Sequence, residues 1–221
     1  MSSDQTRKAI LEAAERLYAD HGFADVTLRD IVAAADVNLA AVNYHFGSKD
    51  ELIAELFVSR SLATNRERLN ELRRAEQQGG GRAEIDAILR ALVGPTLRGC
   101  LGPDQERSPA SRFMIRASIE AVAPIRRIKN REIDHLKKFA AAMRRSLPSC
   151  PDVEIYWGLH FALAMAHQTI RDSERLTRLS EGVCNLGDAE AVTERIVALA
   201  AMALRRDERQ GKPGRLAGDA R

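Results

Sequence analysis

Apolar positions recur every three or four residues through most of this chain, and strict alternation is rare, so the pattern predicts helices almost throughout. Ile10, Leu11, Ala14, Leu17 and Tyr18 share one face of a helix from Ser3 to Asp20, with Gly22 just past its end. Thr27, with Asp30 three residues on, signals the cap of a second helix that buries Leu28, Ile31 and Val32 and exposes Arg29. Asp36-Val37-Asn38 reads as a turn, and Asn38 as the N-cap of a third helix. Val42 and Phe46, four apart, form its buried face, which leaves Leu39, Ala40, Asn43 and Tyr44 outward. Ser48 with Glu51 opens a long fourth helix to Glu76, with Leu52, Ile53, Leu56 and Phe57 inward.

Beyond this point the punctuation is glycine and proline. Gln77 to Arg82, with three consecutive glycines, reads as a flexible connection, and residues 83–98 as a helix. A polar loop is expected from Cys100 to Arg107. Ser108 as an N-cap, with Pro109 at the first helical position, then starts the next helix. A further helix is expected from Pro124 to Ser146, with Pro148 and Pro151 bracketing a break. Asp152 should cap the most apolar helix, 153–179. After Gly182 to Gly187, a last amphipathic helix from Asp188 to 206 puts Val192, Ile196, Leu199, Ala203 and Leu204 on one face. Residues 207–221 are charged and glycine-containing and read as a disordered tail. The expected architecture is all-α, with a helix-turn-helix domain over 1–50 and a larger helical domain over 51–206.

Composition changes this picture little. The 221 residues are 45% hydrophobic and only 5% aromatic, which suits a helical protein with a sizeable core. No apolar run reaches the roughly 18–20 residues a membrane span needs, and no signal-peptide core is seen, so a cytoplasmic protein with no membrane partner is expected. Cys100, Cys150 and Cys184 form no CxxC pair and suggest no disulfide framework. Charge is more informative. Residues 1–60 hold 6 Lys/Arg and 10 Asp/Glu, a net of −4; residues 61–150 hold 18 and 10, a net of +8; residues 151–221 hold 10 and 11, a net of −1.

The segment 27–52 nevertheless has the layout of a helix-turn-helix reader of DNA. Ala40 is short enough for the backbone to approach base pairs, and its methyl can meet a thymine methyl. Asn43 can pair with adenine or hold a phosphate. Tyr44 and His45 suit phosphate through a hydroxyl and a ring N–H, and Lys49 suits the backbone alongside. Thr27 offers a hydroxyl and free helix amides to another phosphate, and Arg29 reaches base or backbone. Asn38 and Leu39 complete the set at the start of the third helix. An acidic reader must depend on a few aimed donors, which leaves open a non-DNA interaction protein on the same helical scaffold. No HExxH, GxSxG, P-loop or dinucleotide fingerprint is present, so an enzyme is not expected, nor a cofactor.

Residues 7–57 resemble the N-terminal domain of TetR-family transcriptional regulators. The resemblance rests on Phe23 after Gly22, Thr27, Ile31, Val37-Asn38, and above all Tyr44-His45-Phe46 followed by Ser48-Lys49-x-x-Leu52. It implies an all-α homodimer whose two readers bind double-stranded DNA at a pseudo-palindromic operator, and a C-terminal domain that takes a small molecule to loosen that grip. Repression is the default direction. Members often carry an aromatic where this chain has Asn43, so base specificity there is open. The segments Val37 to Ile53 and Tyr156 to Ala191 are similar to the fatty-acid-sensing branch, which implies a long-chain fatty acid or acyl-CoA effector.

Helices 153–179 and 188–206 have the length and small residues of a dimerising pair, two copies making a four-helix bundle. Phe113, Met114, Tyr156, Trp157, His160, Phe161, Met165 and His167 are candidates to line a pocket for a hydrophobic or amphiphilic effector; the same stripes suit a plain core. His160 and His167 share a helix face, but no Cys or carboxylate is placed to join them, so no metal site is expected. The basic middle segment (Arg126-Arg127, Lys129, Arg131, Lys137-Lys138, Arg144-Arg145) reads as a solvated face that could steer an acidic ligand or DNA.

Overall fold

A computed structural model describes residues 2–101 and 108–210, and every regular element among them is a helix. In chain order these are α1 (Ser3–His21), α2 (Leu28–Ala35), α3 (Leu39–Phe46), α4 (Lys49–Gln78), α5 (Ile85–Leu101), α6 (Pro109–Ile119), α7 (Ala123–Arg131), α8 (Asp134–Ser146), α9 (Asp152–Arg171), α10 (Ser173–Leu179) and α11 (Ala189–Gln210). They form two compact units. The described residues of Met1–Thr64 and Gly99–Ile133 make the first, those of Asn65–Arg98 and Asp134–Arg221 the second. The expected partition at residue 50 is not the boundary between these units, because the first also takes in the start of α4 together with α6 and α7.

The first unit is built around the apolar stripe of α1. Ile10, Ala14 and Tyr18 pack with Ile31 of α2, Val42 and Phe46 of α3, Leu52, Ile53, Leu56 and Phe57 of α4, Phe113 and Ala117 of α6, and Ile125 and Ile128 of α7. Tyr18 and Phe23 stack at 5.1 Å, and Phe113 meets Phe23 edge-on at 5.4 Å. Glu15, buried on α1, takes both Nε and a terminal nitrogen of Arg60 at 2.5 and 2.6 Å, a forked pair that braces α1 against α4. The α1 N-terminus is closed by Ser2 and Gln5 in a reciprocal capping box.

In the second unit α9 packs against α8, α10 and α11. Its buried line is Ile155, Leu159, Ala162, Ala166 and Ile170. Gly158 permits a close approach: a Cβ there would stand 2.6 Å from Leu204 Cδ2 and 2.9 Å from its Cγ. Ion pairs Arg90–Glu194, Arg205–Asp86 and Arg145–Glu76 tie the remaining helices of this unit together.

Several expectations about elements are corrected. The helix expected from Pro124 to Ser146 is two helices, α7 and α8, because the chain passes from the first unit to the second at Ile133–Asp134. The helix expected over 153–179 divides at Asp172, whose carboxylate accepts a hydrogen bond from Gln168 at 2.6 Å. Pro151, not Asp152, is the cap of α9; the Asp152 carboxylate is taken by Arg144 at 2.5 Å. Ser108 makes no side-chain cap, and Pro109 alone marks the α6 start. Cys100 and Leu101 are helical, in α5, rather than the start of a loop; residues 102–107 of that loop lie outside the described residues. α11 runs to Gln210, past the expected end at 206, and the rest of the expected tail, 211–221, also lies outside the described residues. Leu199 and Ala203 face outward, because the packed arc of α11 is Val192, Ile196, Val197, Ala200, Ala201 and Leu204. Cys100 and Cys150 are buried, and Cys184 is exposed. No helix among the described residues is long and apolar enough to cross a membrane.

Candidate nucleic-acid interface

Two eight-residue helices cannot hold themselves in water, so their geometry comes from caps and buried anchors. Thr27 caps α2 reciprocally. Its Oγ1 accepts from the Asp30 amide at 3.3 Å, while the Asp30 carboxylate accepts from the Thr27 amide at 2.8 Å and from its hydroxyl at 2.7 Å. These bonds hold the Asp30 carboxyl below the usual carboxylate range. Asp36 then takes the left-handed conformation (φ 53°, ψ 50°) that a short polar residue tolerates, and turns the chain. Asn38 Oδ1 accepts from the Ala41 amide at 2.9 Å and starts α3.

Val42 and Phe46 seat α3 in the core, and the Arg7 guanidinium lies 5.5 Å over the Phe46 ring. Ala41 packs partly against the same core, and the remaining face of the helix points outward. Tyr44 is 82% exposed, Leu39 is 42% exposed, and Ala40 and Asn43 are also exposed. The Tyr44 and His45 rings meet edge-on at 5.0 Å, with His45 partly covered. The Asn43 carboxamide makes no hydrogen bond among the described residues, and Arg29 on α2 is exposed without an ion pair among them. At Gly47 the chain again needs a positive φ (77°), and a Cβ there would collide with the Glu51 carboxylate. Glu51 is held at that place by the Ser48 cap of α4.

Two residues expected to meet phosphate are otherwise engaged. The Thr27 hydroxyl donates to Asp30. Lys49 turns inward: its Nζ donates to the Phe23 carbonyl at 2.7 Å and lies 5.9 Å over the Tyr18 ring. The same Phe23 donates its amide at 3.0 Å to Oε2 of Glu120, the residue that caps the end of α6. Next to it, Arg116 donates to the carbonyls of Ala19 and Asp20 at 3.2 and 3.1 Å, and Arg112 donates to the Asp20 carboxylate at 2.8 Å. Thus α6 satisfies the bare carbonyl end of α1, where cations are favoured. A continuous chain of bonds runs from α6 through Phe23 to the first residue of α4. Sequence reasoning missed Arg112, Arg116 and Glu120. The Arg116–Glu120 spacing of four was visible, but its target lies about 97 positions upstream.

The residues expected to line an effector pocket fall in both units. Phe113 is fully buried in the first, between Tyr18 and Phe23, and Met114 packs against the same core. Tyr156, Trp157, His160, Phe161 and His167 are exposed on α9 in the second, and Met165 is partly covered. Trp157 and Phe161 stack at 5.2 Å with His160 edge-on to Trp157, so these three stand together as an aromatic group open to solvent. The Tyr156 hydroxyl accepts from Arg144 at 2.9 Å.

Comparison with known proteins bears on both halves of the chain. A family model described as "Tetracyclin repressor-like, C-terminal domain" matches residues 90–203, and one described as "Bacterial regulatory proteins, tetR family" matches residues 10–56. The chain is similar to the HTH-type transcriptional regulator BetI of Agrobacterium fabrum, 36% identical over 83 residues, which is 38% of this chain and 39% of that regulator. The likeness to that relative therefore spans well under two thirds of its length. Two solved structures share the fold. A TetR family transcription regulator from Marinobacter aquaeolei VT8 has a TM-score of 0.62 at 20% identity, over 91% of this chain and 96% of that one. The transcriptional regulator FadR from Bacillus subtilis, in complex with stearoyl-CoA, has a TM-score of 0.56 at 14% identity, over 89% and 98%.

Proposed function

The chain belongs to the TetR family of bacterial regulatory proteins, and from that premise we propose that it is a repressor which grips a pseudo-palindromic DNA operator as a homodimer and releases it when a small molecule binds. The observation that carries this reading is the outward face of α3: Leu39, Ala40, Asn43 and Tyr44 stand clear of a helix whose opposite face, Val42 and Phe46, is sealed in the core. Such a helix can enter a major groove without unfolding anything. Ala40 lets the backbone approach, Asn43 offers a carboxamide to adenine, and Tyr44 and His45 reach phosphates. Arg29 and the Thr27-capped end of α2 serve the adjoining backbone. Lys49 acts at one remove, by fixing Phe23 and hence the turn between α1 and α2.

The dimer is assigned to α9 and α11. Trp157 and Phe161 on the first, and Leu199 and Met202 on the second, are large apolar side chains left in solvent by one protomer, and a two-fold partner would cover them. This gives the exposed aromatic group of α9 a seam to fill rather than a closed pocket. For the effector we assign an amphiphile, a fatty acid or its CoA thioester. The support is the resemblance of residues 37–53 and 156–191 to the fatty-acid-sensing branch and the stearoyl-CoA held by the B. subtilis neighbour. Operator and effector would compete through one equilibrium between two dimer forms.

Selecting bound duplexes from a random pool tests the DNA reading. N43A and Y44A should each weaken binding to the selected duplex by about 5- to 150-fold, the equivalent of about 1–3 kcal/mol, with unchanged thermal unfolding. Undiminished affinity in both would overturn it. Release of that duplex by palmitoyl-CoA, and not by CoA alone, tests the effector.

A further inference from the structure

The basic middle of the sequence is divided by the fold. Lys137, Lys138, Arg144 and Arg145 lie on α8 in the second unit, whereas Arg126, Arg127, Lys129 and Arg131 lie on α7 in the same compact unit as α3. Residues 1–64 carry 6 Lys/Arg and 10 Asp/Glu, and residues 99–133 carry 7 and 4, so the first unit stands at −1 rather than the −4 of its amino-terminal stretch. Helix α7 is seated by Pro124, Ile125 and Ile128. Lys129 serves the fold: its Nζ donates to the Ala117 carbonyl at 3.3 Å and lies 5.6 Å over the Phe57 ring, and burial pushes its pKa down. The three arginines do not serve it in that way. Among the described residues, Arg126 is exposed with no ion pair, and Arg131 pairs only with its exposed neighbour Glu132. Arg127 and Arg131, four apart on one face, repel each other and weaken the helix slightly.

One contact shows which part of the first unit this face adjoins. A terminal nitrogen of Arg127 lies 3.3 Å from Asp50 Oδ2, the second residue of α4 and four residues past the end of α3. The arginines of α7 therefore stand at the end of α4 that adjoins the reading helix. Both partners of that pair are more than half exposed, so it is weak and can yield to a phosphate.

We infer that Arg126, Arg127 and Arg131 of α7 form a second contact surface for the operator, gripping the phosphate backbone beside the segment that α3 reads. This rests on the DNA-binding reading above and extends it: the acidic headpiece borrows its backbone grip from a helix some eighty residues away in sequence.

The test is the salt dependence of binding by the full chain to its selected duplex. Each phosphate that is no longer neutralised should flatten the slope of log K against log salt by about 0.9. R126Q/R127Q/R131Q should thus have a slope shallower by about 1.8–2.7 per protomer, with sequence preference kept. K137Q/K138Q/R145Q removes the same charge from α8 and should leave the slope at the wild-type value. R126K/R127K/R131K should restore most of it if the glutamine variant has merely lost charge at this face. An unchanged slope in the α7 glutamine variant, or an equal loss in the α8 variant, overturns the inference while leaving the regulator intact. A wild-type chain that holds no duplex selectively overturns the regulator reading and this one with it.

Discussion

Replacing Gly158 by alanine puts two opposing effects against each other. Alanine is favoured over glycine inside a helix by about 0.8–1.0 kcal/mol. Against this, the new methyl would lie 2.6, 2.9 and 3.0 Å from Cδ2, Cγ and Cδ1 of Leu204. Rotating the leucine cannot clear its own branch carbon, and Leu204 is fully buried, so α9 and α11 must part or the side chain must leave its rotamer. Overpacking of this kind costs about 1–3 kcal/mol. The net expectation for G158A is a loss of up to about 2 kcal/mol. L204A alone leaves a cavity costing about 2–5 kcal/mol. In the double variant the alanine methyl occupies part of the space that Leu204 vacates, so the two losses should fall short of their sum by about 1–2 kcal/mol, where independent sites add to within about 0.5. Urea unfolding at one fixed protomer concentration reads this, since association contributes to apparent stability. If G158A raises the midpoint, or the two changes simply add, the close approach of α9 to α11 is not what holds Gly158 in place.

Three further outcomes are expected. The Tyr18 hydroxyl is buried with no hydrogen-bond partner among the described residues, and burial, aided by the Asp50 charge, raises its pKa above the ordinary 10.0. An acid held neutral in this way contributes stability below pH 10.0 that is lost as pH climbs past it. Y18F should therefore melt no lower than wild type at pH 7 and lose less on going to pH 11; identical alkaline losses would count against this. E120A strips the acceptor from the Phe23 amide and should cost about 1–3 kcal/mol, with faster hydrogen exchange at that amide, whereas E120Q keeps an acceptor and should lose far less. Equal effects from the two would mean that the carboxylate's charge, not the hydrogen bond, matters. F161E and M202E should each shift sedimentation to a single-chain mass while Y44A does not, and a dimer surviving both would place the seam elsewhere.

What was legible in the sequence followed from local chemistry. Thr27/Asp30, Asn38 and Ser48/Glu51 are caps spelled out within four residues, and all three hold in the structure. The buried pair Val42/Phe46 announced the outward set on α3 by spacing alone. Illegible parts depended on distant partners. Lys49 looks like a surface lysine until Phe23 folds back to meet it, and Asp152 looks like a cap until Arg144 takes its carboxylate. The division of 124–146 could not be read because apolar spacing continues through Ile133; only the assignment of its halves to separate units breaks it. Aromatic residues of α9 read equally well as lining, core or seam, since spacing gives a face but not what covers it.

Helices α2 and α3 are each only eight residues long, which predicts how damage to this protein would sort in a genetic screen. Neither persists by itself, so weakening Ile31, Val42 or Phe46 melts the whole reading surface together: such alleles should lose control only on warming, and a wild-type gene copy should cover them. If Tyr44 and Asn43 meet the operator and the chain pairs as proposed, changes at either leave a well-folded chain, so those alleles should fail at every temperature and poison mixed dimers.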